Sequence, residues 1–383
     1  MIKYLAFLNN YDQRPCRAQF LWWFYLMLDR IPGTHFLINK DYLKPGPHRW
    51  EINHWERIPY GCKKSPKELR VKNYKVLPRI EDYPELKGLK YPSEILKFCL
   101  TKRINSLYDT LRTEIKGNGI EAALAWVNNK SLEDACKDEN IPVIHSESGP
   151  LRAPMFHGTT YFDFSGVNGN TEFDKRFKEF KKISSRVKIL SREELLKTIA
   201  FDSQIAYILK TIKNKPTYEC GVPMQVELDT NLLVFNNSAT LTNLIIMVAK
   251  KYGKFLVKNH PLASIQYNKI STLGAGDIDT SKNAIEFISN CKRIVTINSS
   301  VGFEALLLGK EVEFLGDSPF RNIPNMNEND KLLALNFAVF GYLIPSILLY
   351  NEEYYKYRLE CSDEEDIYKR GMKEWGKHYG ISG

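Results

Sequence analysis

The sequence predicts an α/β protein made of two Rossmann-like domains. Two observations lead to this prediction. Short apolar runs rich in β-branched residues alternate with helical patterns in both halves of the chain, and polar residues follow these runs. Alternation of this kind is typical of parallel sheets with helices on their faces. With 383 residues, the chain is long enough for two domains that each bury a core.

The first half supplies the clearest repeating unit. The apolar run at 2–8 predicts a first strand rather than a signal peptide. Residues 122–127 and 142–145 predict two further strands, and a helix that starts at Ser131 connects them. This β-α-β unit indicates a parallel sheet, and Glu147 and Arg152 follow its second strand.

The second half repeats the pattern after a predicted linker at 214–217. Residues 222–228, 255–258 and 293–297 predict strands. They are followed in turn by Asp229, by His260 and by the pair Ser299 and Ser300. Ligands of open α/β sheets bind beyond the carboxyl ends of the strands, so we expect these side chains to share one sheet edge.

These patterns give a domain plan. We predict an N-terminal acceptor-side domain at 1–214, a nucleotide-binding domain at 215–330, and C-terminal helices at 331–383 that lie across both. Two Rossmann-like domains with a cleft between them form the architecture of GT-B glycosyltransferases. The chain also fits one module of a longer polypeptide.

The junction between the predicted strand at 293–297 and the helix that follows it contains the most candidate functional residues. Ser299 and Ser300 lie where the strand ends, and the helix ends at Gly309. Free N–H groups and the positive end of the helix dipole favour a phosphate at such a joint. Glu304, one turn further, has a carboxylate suited to the two hydroxyls of a ribose. The alternative is that Ser300 is a plain N-cap, although a capping box would need Glu or Gln at the position of Phe303.

Net charge and cysteine content indicate the kind of partner and the cellular compartment of the protein. The formal charge of +9 indicates an anionic partner, which includes nucleotide, glycan, nucleic acid and membrane surface. The basic run at 174–188, with phenylalanines at helical spacing, predicts an amphipathic helix or an anion-docking surface. The seven cysteines are scattered without a C-x-x-C pair, which argues against zinc and a disulfide framework and fits a reducing cytoplasm; they are Cys16, Cys62, Cys99, Cys136, Cys220, Cys291 and Cys361.

Two apolar stretches bear on membrane contact. Residues 20–28 are too few to span a bilayer. Residues 332–350 are interrupted by Asn336, Gly341 and Pro345, and predict a buried helix that breaks near Pro345. We therefore expect a cytoplasmic protein, and peripheral contact with the inner membrane or with other glycan-assembly proteins stays open.

Four short blocks together resemble the bacterial capsule-polysaccharide synthesis proteins that transfer Kdo, of the KpsC and KpsS type. They are residues 147–152, 225–229, 258–261 and 299–306, with Gly309 and Lys310 after the last block. The likeness to bacterial sialyltransferases, which share a His-Pro motif and a Ser/Thr pair, is looser.

This resemblance implies a CMP-Kdo donor and a saccharide acceptor in a lipopolysaccharide or capsule glycan, with no nucleic acid partner. It implies retention of configuration, for which Asp229 is the expected nucleophile and Glu147 the expected acid/base. Arg152 or Lys258 is expected to pair with the Kdo carboxylate. The full expected donor set is His260, Pro261, Ser299, Ser300, Glu304, Lys258, Arg152, Gln225 and Asn231.

No cofactor is expected in this scheme, and no metal. Asp277 and Asp279 form an Asp-x-Asp pattern, but we interpret it as turn chemistry in a loop. His48 and His54 have no spaced partners and are interpreted as surface or packing residues.

Three other functions stay open from the sequence. A sialyltransferase would use CMP-sialic acid, and the Gln225 to Asp229 block is what favours Kdo over it. A GT-B-like sugar-nucleotide epimerase would accept a UDP-sugar without a second substrate. A non-enzymatic module would bind a polyanion through net charge, and its binding would weaken steeply with salt.

Overall fold

The computed structural model describes residues 2–8, 18–39, 71–126, 128–261 and 276–379. Within these ranges the chain forms two sheets dominated by parallel strands, each flanked by helices. The predicted α/β class with two Rossmann-like, GT-B-like sheets is confirmed. His48, His54, Cys16, Cys62 and part of the glycine-rich segment before Asp277 lie outside the described residues.

The first sheet has seven strands in the order β12-β6-β5-β4-β1-β2-β3. The pairs of β1 with β2 and β4, of β2 with β3 and of β4 with β5 are parallel, whereas β12 runs antiparallel to β6. The strands are β1 Tyr4–Leu8, β2 His35–Asn39, β3 Tyr74–Leu77, β4 Ala122–Trp126, β5 Val143–Ser148, β6 Thr159–Asp163 and β12 Leu343–Pro345.

The second sheet has five strands in the order β11-β10-β7-β8-β9, and all its pairs are parallel. This order reverses direction around β7, the pattern of a doubly wound sheet. The strands are β7 Tyr218–Pro223, β8 Phe255–Lys258, β9 Gly276–Ile278, β10 Cys291–Thr296 and β11 Glu311–Phe314.

The α-helices of the described chain are α1 Ala18–Arg30, α2 Pro92–Thr101, α3 Asn105–Asn118, α4 Lys130–Asp138, α5 Phe173–Ile183, α6 Arg192–Ile199, α7 Asp202–Thr211, α8 Thr230–Val234, α9 Leu241–Tyr252, α10 Ala284–Ser289, α11 Ser300–Leu307, α12 Glu328–Phe337, α13 Glu352–Glu360 and α14 Glu364–Tyr379. None of them is long and apolar enough to cross a membrane.

The chain divides into two compact units that are discontinuous in sequence. Unit 1 contains Met1–Glu147, Phe162–Val167 and Ser346–Cys361. Its core joins strand residues such as Leu5 and Ala123 to Leu111 of α3. Unit 2 contains Ser148–Tyr161, Asn168–Pro345 and Ser362–Gly383. The predicted domain boundary at residue 214 stays a prediction. The chain passes from the first sheet to the second between β6 and β7.

Unit 2 has its own core beneath the second sheet. Val222, Val257 and Val295 of three adjacent strands pack with Leu244 and Val248 of α9, and all five side chains are buried. α9 presents these residues at positions i and i+4, the spacing of one helix face. This packing fixes the strand ends from which the candidate site is built.

Three sequence predictions need correction. The strand predicted at 222–228 is Tyr218–Pro223, because the chain leaves the sheet and turns the Gln225 amide inward. The apolar stretch at 332–350 is buried as predicted, but the α-helix ends at Phe337, continues as one π-helical turn at Ala338–Tyr342, and Pro345 lies in β12. Asp277 lies in the edge strand β9 rather than in a loop.

The basic run forms α5, which buries Phe173, Phe177 and Phe180 and exposes Lys175 and Lys178. The predicted amphipathic helix is therefore confirmed. The helix is held to the rest of unit 2 by Arg176, which is buried and pairs with Glu364 at 2.7 Å.

Candidate functional site

The serine turn, residues 298–300, connects buried β10 to α11. Ser299 is the N-cap of α11, since its hydroxyl accepts a hydrogen bond from the Val301 amide at 3.3 Å. The sequence alternative that Ser300 is the cap is therefore wrong. The Ser300 hydroxyl has no hydrogen-bond partner among the described residues, and the side chain is half-buried. The turn thus presents a free hydroxyl at the positive end of a helix.

Asn298 holds this turn in place and was missed by the sequence analysis. It is buried, and its side-chain amide donates to the backbone carbonyls of Asn231 and Phe235, both at 3.0 Å. Its carbonyl accepts from the Gln225 amide at 2.9 Å. An asparagine at a strand end is a signal for a turn. Its partners, however, lie 63 to 73 residues away and leave no local trace in the sequence.

Gln225 consequently has a positioning role. Its side-chain carbonyl accepts a hydrogen bond from the backbone N–H of Asn298 at 3.3 Å and another from the Thr296 hydroxyl at 3.4 Å. Buried amides of this kind are costly unless all their hydrogen bonds are made. The network therefore fixes the backbone of the serine turn.

Asp229 is the N-cap of the short helix α8. One carboxylate oxygen accepts from the Asn231 amide at 3.2 Å and from the Thr230 hydroxyl at 3.3 Å. The Thr230 hydroxyl also accepts a hydrogen bond from Asn168 at 3.3 Å. Because the strand ends at Pro223, Asp229 reaches the site from this cap and not from the strand end. Its side chain is half-buried.

Charged groups from separate segments of unit 2 meet here. Burial lowers the pKa of His260, which follows β8; Asp229 and Glu227 act to raise it, and Arg152 acts to lower it further. Burial raises the pKa of Glu304 to about 7, with Arg152 opposing the shift. Arg152 therefore interacts electrostatically with both His260 and Glu304. The structure brings these predicted residues together.

The loop that carries Arg152 is tightly built. The Arg152 guanidinium Nε donates to the Gly149 carbonyl at 2.9 Å, and the Gly149 amide donates to the Thr159 carbonyl at 2.8 Å. A Cβ at Gly149 would overlap Thr159, so this close approach requires glycine. Arg152 itself is exposed.

Lys258 is placed differently from the other predicted donor residues. Its ammonium pairs with Asp279 at 2.7 Å and donates to the Ser281 carbonyl at 3.2 Å. Asp279 is almost completely buried, and Asp277 accepts from the Tyr218 hydroxyl at 2.9 Å. The Asp-x-Asp pair thus has structural partners. Among the described residues no three His, Cys, Asp or Glu side chains form a metal-binding cluster.

Comparison with known protein families gives two matches. Residues 6–172 match the glycosyltransferase 99 family N-terminal domain, and residues 197–332 match the capsule polysaccharide biosynthesis protein family. The two matches lie one after the other along the chain and describe a glycosyltransferase domain and a capsule polysaccharide biosynthesis protein. The second match spans Gln225, Asp229, His260 and the serine turn, and the first contains Glu147 and Arg152.

Individual relatives are distant or match over short segments. A segment of 33 residues is 70% identical to Protein FixF of Sinorhizobium fredii, which is 9% of this chain and 8% of that protein. KpsC of Thermosulfurimonas dismutans, a beta Kdo 2,7 transferase, is 17% identical with a TM-score of 0.43 over 88% of this chain and 98% of that one. UDP-GlcNAc 2-epimerase of Methanocaldococcus jannaschii is 11% identical with a TM-score of 0.31 over 84% and 86%.

Two predicted site residues remain, Glu147 and Pro261. Glu147 is half-buried near the carboxyl end of β5, inside the strand and not after it, because β5 runs three residues further than predicted. It belongs to unit 1, whereas Asp229 belongs to unit 2. Pro261 follows His260 and is exposed.

Proposed function

We propose that the protein transfers Kdo from CMP-Kdo to a saccharide acceptor of a lipopolysaccharide or capsule glycan, with retention of configuration. The serine turn is the observation that carries this proposal. It combines a free hydroxyl, a helix N-terminus and a partly protonated carboxylate one turn further along α11. These groups suit the phosphate and ribose of a nucleotide.

The donor contacts follow from the chemistry of each side chain. Ser299, Ser300 and His260 would bind the phosphate of CMP-Kdo, and Glu304 would accept hydrogen bonds from the ribose hydroxyls. Burial lowers the pKa of His260, which favours the neutral imidazole, and its ring N–H would donate a hydrogen bond to the phosphate. Arg152 is the better candidate for the Kdo carboxylate, since Lys258 is paired with Asp279. Gln225 and Asn231 would act through Asn298.

The proposed reaction is a double displacement. The Asp229 carboxylate attacks the anomeric carbon of Kdo, the bond to the phosphate oxygen breaks, and CMP leaves with the bonding electron pair. Glu147 then removes the proton of an acceptor hydroxyl, which attacks the same carbon and releases Asp229. Two inversions give net retention. The scheme routes no step through a metal, so activity is expected to survive EDTA.

The proposal also includes the cellular location of the protein and its partners. None of the five described cysteines is in a disulfide, which fits a reducing cytoplasm. We therefore propose a cytoplasmic enzyme whose partners are the CMP-sugar and the glycan acceptor.

The test is intact-protein mass spectrometry after incubation with CMP-Kdo, with the product's anomeric configuration read by NMR. Asp229→Asn is the informative variant, because asparagine caps a helix as well as aspartate does and α8 should stay folded. A Kdo-sized adduct is expected in wild type and in Glu147→Gln, and is expected to be absent in Asp229→Asn.

Two results would contradict the proposal at different levels. Turnover that inverts the anomeric configuration would rule out the covalent intermediate but would leave CMP-Kdo as the proposed donor. Failure to bind CMP-Kdo would remove the donor, and CMP-sialic acid and UDP-sugars would then be tested in its place.

A further inference from the structure

A cavity in unit 2 lies apart from the serine turn. It has a volume of about 610 Å³ and is formed by α6 with the segment before it, by the π-helical turn at Ala338–Tyr342, and by the C-terminal half of α14. The proposed function uses none of the residues that line it. Its volume is within the range of small-molecule sites.

The rim of this cavity is basic. Lys188, Lys197, Lys373 and Lys377 line it and are exposed, against one acidic residue, Glu194. Lys197 pairs with Glu193 at 2.7 Å. The other three lysines have no ion-pair partner within the described part of the chain. Glu194 interacts electrostatically with Lys188 and Lys197, so the rim carries an excess of positive charge that one carboxylate only partly offsets.

The base of the cavity is apolar. Leu190, Phe340 and Trp375 lie beneath it and are nearly covered, and Met372 is partly exposed. The Trp375 indole N–H already donates to the Val339 carbonyl at 3.2 Å. An apolar base keeps water from one side of the ammonium groups and so strengthens their attraction for an anion. The aliphatic stems of the lysines extend this apolar surface.

The hydrogen-bonding groups of the residues that line the cavity limit the chemical class of molecule that it could bind. The Glu194 carboxylate accepts from the Ser191 amide at 2.8 Å, and the Thr198 hydroxyl donates to the Glu194 carbonyl at 2.8 Å. Apart from the remaining lone pairs of the Glu194 carboxylate, the polar side-chain groups that an occupant could contact are thus ammonium groups. A sugar or a peptide needs acceptors as well as donors, whereas an anionic lipid needs only cations and apolar surface.

We propose that this cavity, the lysine-rimmed pocket of Lys188, Lys373 and Lys377, docks the headgroup of an anionic phospholipid at a membrane surface. The phosphate would lie among the three ammonium groups, and the first methylenes of the acyl chains would rest on Met372. The chain would then bind a bilayer peripherally through unit 2. The proposal is independent of the donor that the enzyme uses.

The test is cosedimentation of the full chain with vesicles of phosphatidylcholine, with or without 30 mol % phosphatidylglycerol. Wild type is expected to bind only the anionic vesicles. Lys373→Glu with Lys377→Glu is expected to lower that binding at least about tenfold, since each lysine near an anionic surface contributes on the order of 1 kcal/mol. Met372→Gln, which changes no charge, is expected to lower it about threefold.

A matched control separates the pocket from net charge. Lys175→Glu with Lys178→Glu makes the same change in charge on the exposed face of α5 and is expected to alter binding less than threefold. Equal losses in the two double variants would overturn the proposal in favour of net charge, as would no binding by wild type.

Two competitors test the source of the anion. Displacement of vesicles by 10 mM inorganic phosphate would overturn the lipid and indicate a free-anion site. Displacement by a polyglutamate peptide would indicate an acidic protein partner. Transfer to a soluble saccharide acceptor is expected to be unchanged in the pocket variants, so failure here is distinguishable from failure of the proposed reaction.

Discussion

The two ends of α11 offer opposite environments. A cavity of about 520 Å³ lies at the carboxyl end and is lined by five basic residues. All five have partners: Arg192 donates to the carbonyls of Leu306 and Leu307, Lys310 donates to the Ser289 carbonyl, Arg293 pairs with Glu311, Lys251 pairs with Glu313, and Lys331 pairs with Glu328.

The amino end has fewer cations but keeps its groups available. The Ser300 hydroxyl has no described partner, and Glu304 sits where burial raises its pKa to about 7. At the carboxyl end, Gly309 adopts a left-handed conformation and the amides of Gly309 and Lys310 donate to Leu306 and Ala305, which closes the helix. Uncommitted groups, and not the number of charges, therefore distinguish the end at which we propose that the nucleotide binds.

Removing the two hydroxyls should have the largest effect. Ser299→Gly with Ser300→Ala is expected to weaken CMP binding at least about 100-fold, because two hydrogen bonds to a charged phosphate contribute about 1.5–3 kcal/mol each. Glycine is chosen at the cap because it costs only a few tenths of a kcal/mol there. Isothermal titration calorimetry with CMP measures the loss.

The control lies at the other end of the helix. Arg192→Ala removes a partner of two terminal carbonyls and should lower the unfolding free energy by about 1–2 kcal/mol, with CMP affinity unchanged. A comparable loss of CMP affinity in Arg192→Ala would contradict the assignment of the nucleotide to the amino end.

The Asn298 network should give the next largest effect. Asn298→Ala leaves the buried Gln225 amide without its Asn298 partner and removes one of the two hydrogen bonds that each of the Asn231 and Phe235 carbonyls accepts, at a cost of about 2–4 kcal/mol in unfolding free energy. CMP affinity is expected to fall about tenfold because the serine turn is no longer fixed. Urea unfolding and calorimetry measure the two changes. Unchanged CMP affinity in a destabilised Asn298→Ala would reduce the network to a purely structural role.

These residues also mark the limit of the sequence analysis. The start and end of α11 were predicted to within two residues, because a β-branched strand, a serine N-cap and a C-terminal glycine act within a few positions of one another. Asp229 was wrongly put at a strand end, because the apolar run at 222–228 does not reveal that Gln225 turns inward to Asn298.

The charged residues show the same limit. Lys258 and Arg152 are indistinguishable as cations in the sequence, yet one is paired with buried Asp279 and the other is exposed. Burial and pairing are decided by contacts between distant segments, so local patterns locate the site but do not assign roles within it.

Gly302 tests how closely the amino end is packed. A Cβ there would meet the Phe314 ring at 2.5 Å, so Gly302→Ala must shift α11 or the ring. We expect a net loss of about 1–2 kcal/mol in unfolding free energy, since overpacking costs about 1–3 kcal/mol and the helix propensity of alanine returns up to about 1. Urea unfolding measures it, and Phe314→Leu should restore part of the loss.

Gly309→Ala is the matched control at the carboxyl end. Its cost should be similar, because Gly309 has a φ of 76°, but it should leave CMP affinity unchanged. A loss of CMP affinity in Gly309→Ala would mean that the two ends are not energetically distinct.

The last expected effect is a pH dependence that comes from Glu304. Its pKa is about 7 in the free protein, and hydrogen bonds from ribose hydroxyls favour the ionised form. Binding should therefore lower the pKa and release a proton. CMP affinity should rise as the pH increases to about 7 and level off above it, with a loss approaching tenfold for each pH unit below.

Glu304→Gln isolates this effect from the other titrating groups. The phosphate of CMP and His260 titrate in both proteins, so the ratio of the two affinities depends on Glu304 alone. Calorimetry at pH 7 in buffers of different ionisation enthalpy should find about half a proton more released by wild type than by Glu304→Gln. The same substitution should raise the unfolding temperature more at pH 8 than at pH 5, because a buried carboxyl with a raised pKa destabilises the fold only where it must ionise. Equal proton release in both proteins would mean that Glu304 does not contact the nucleotide, and the ribose would then need another acceptor at the amino end of α11.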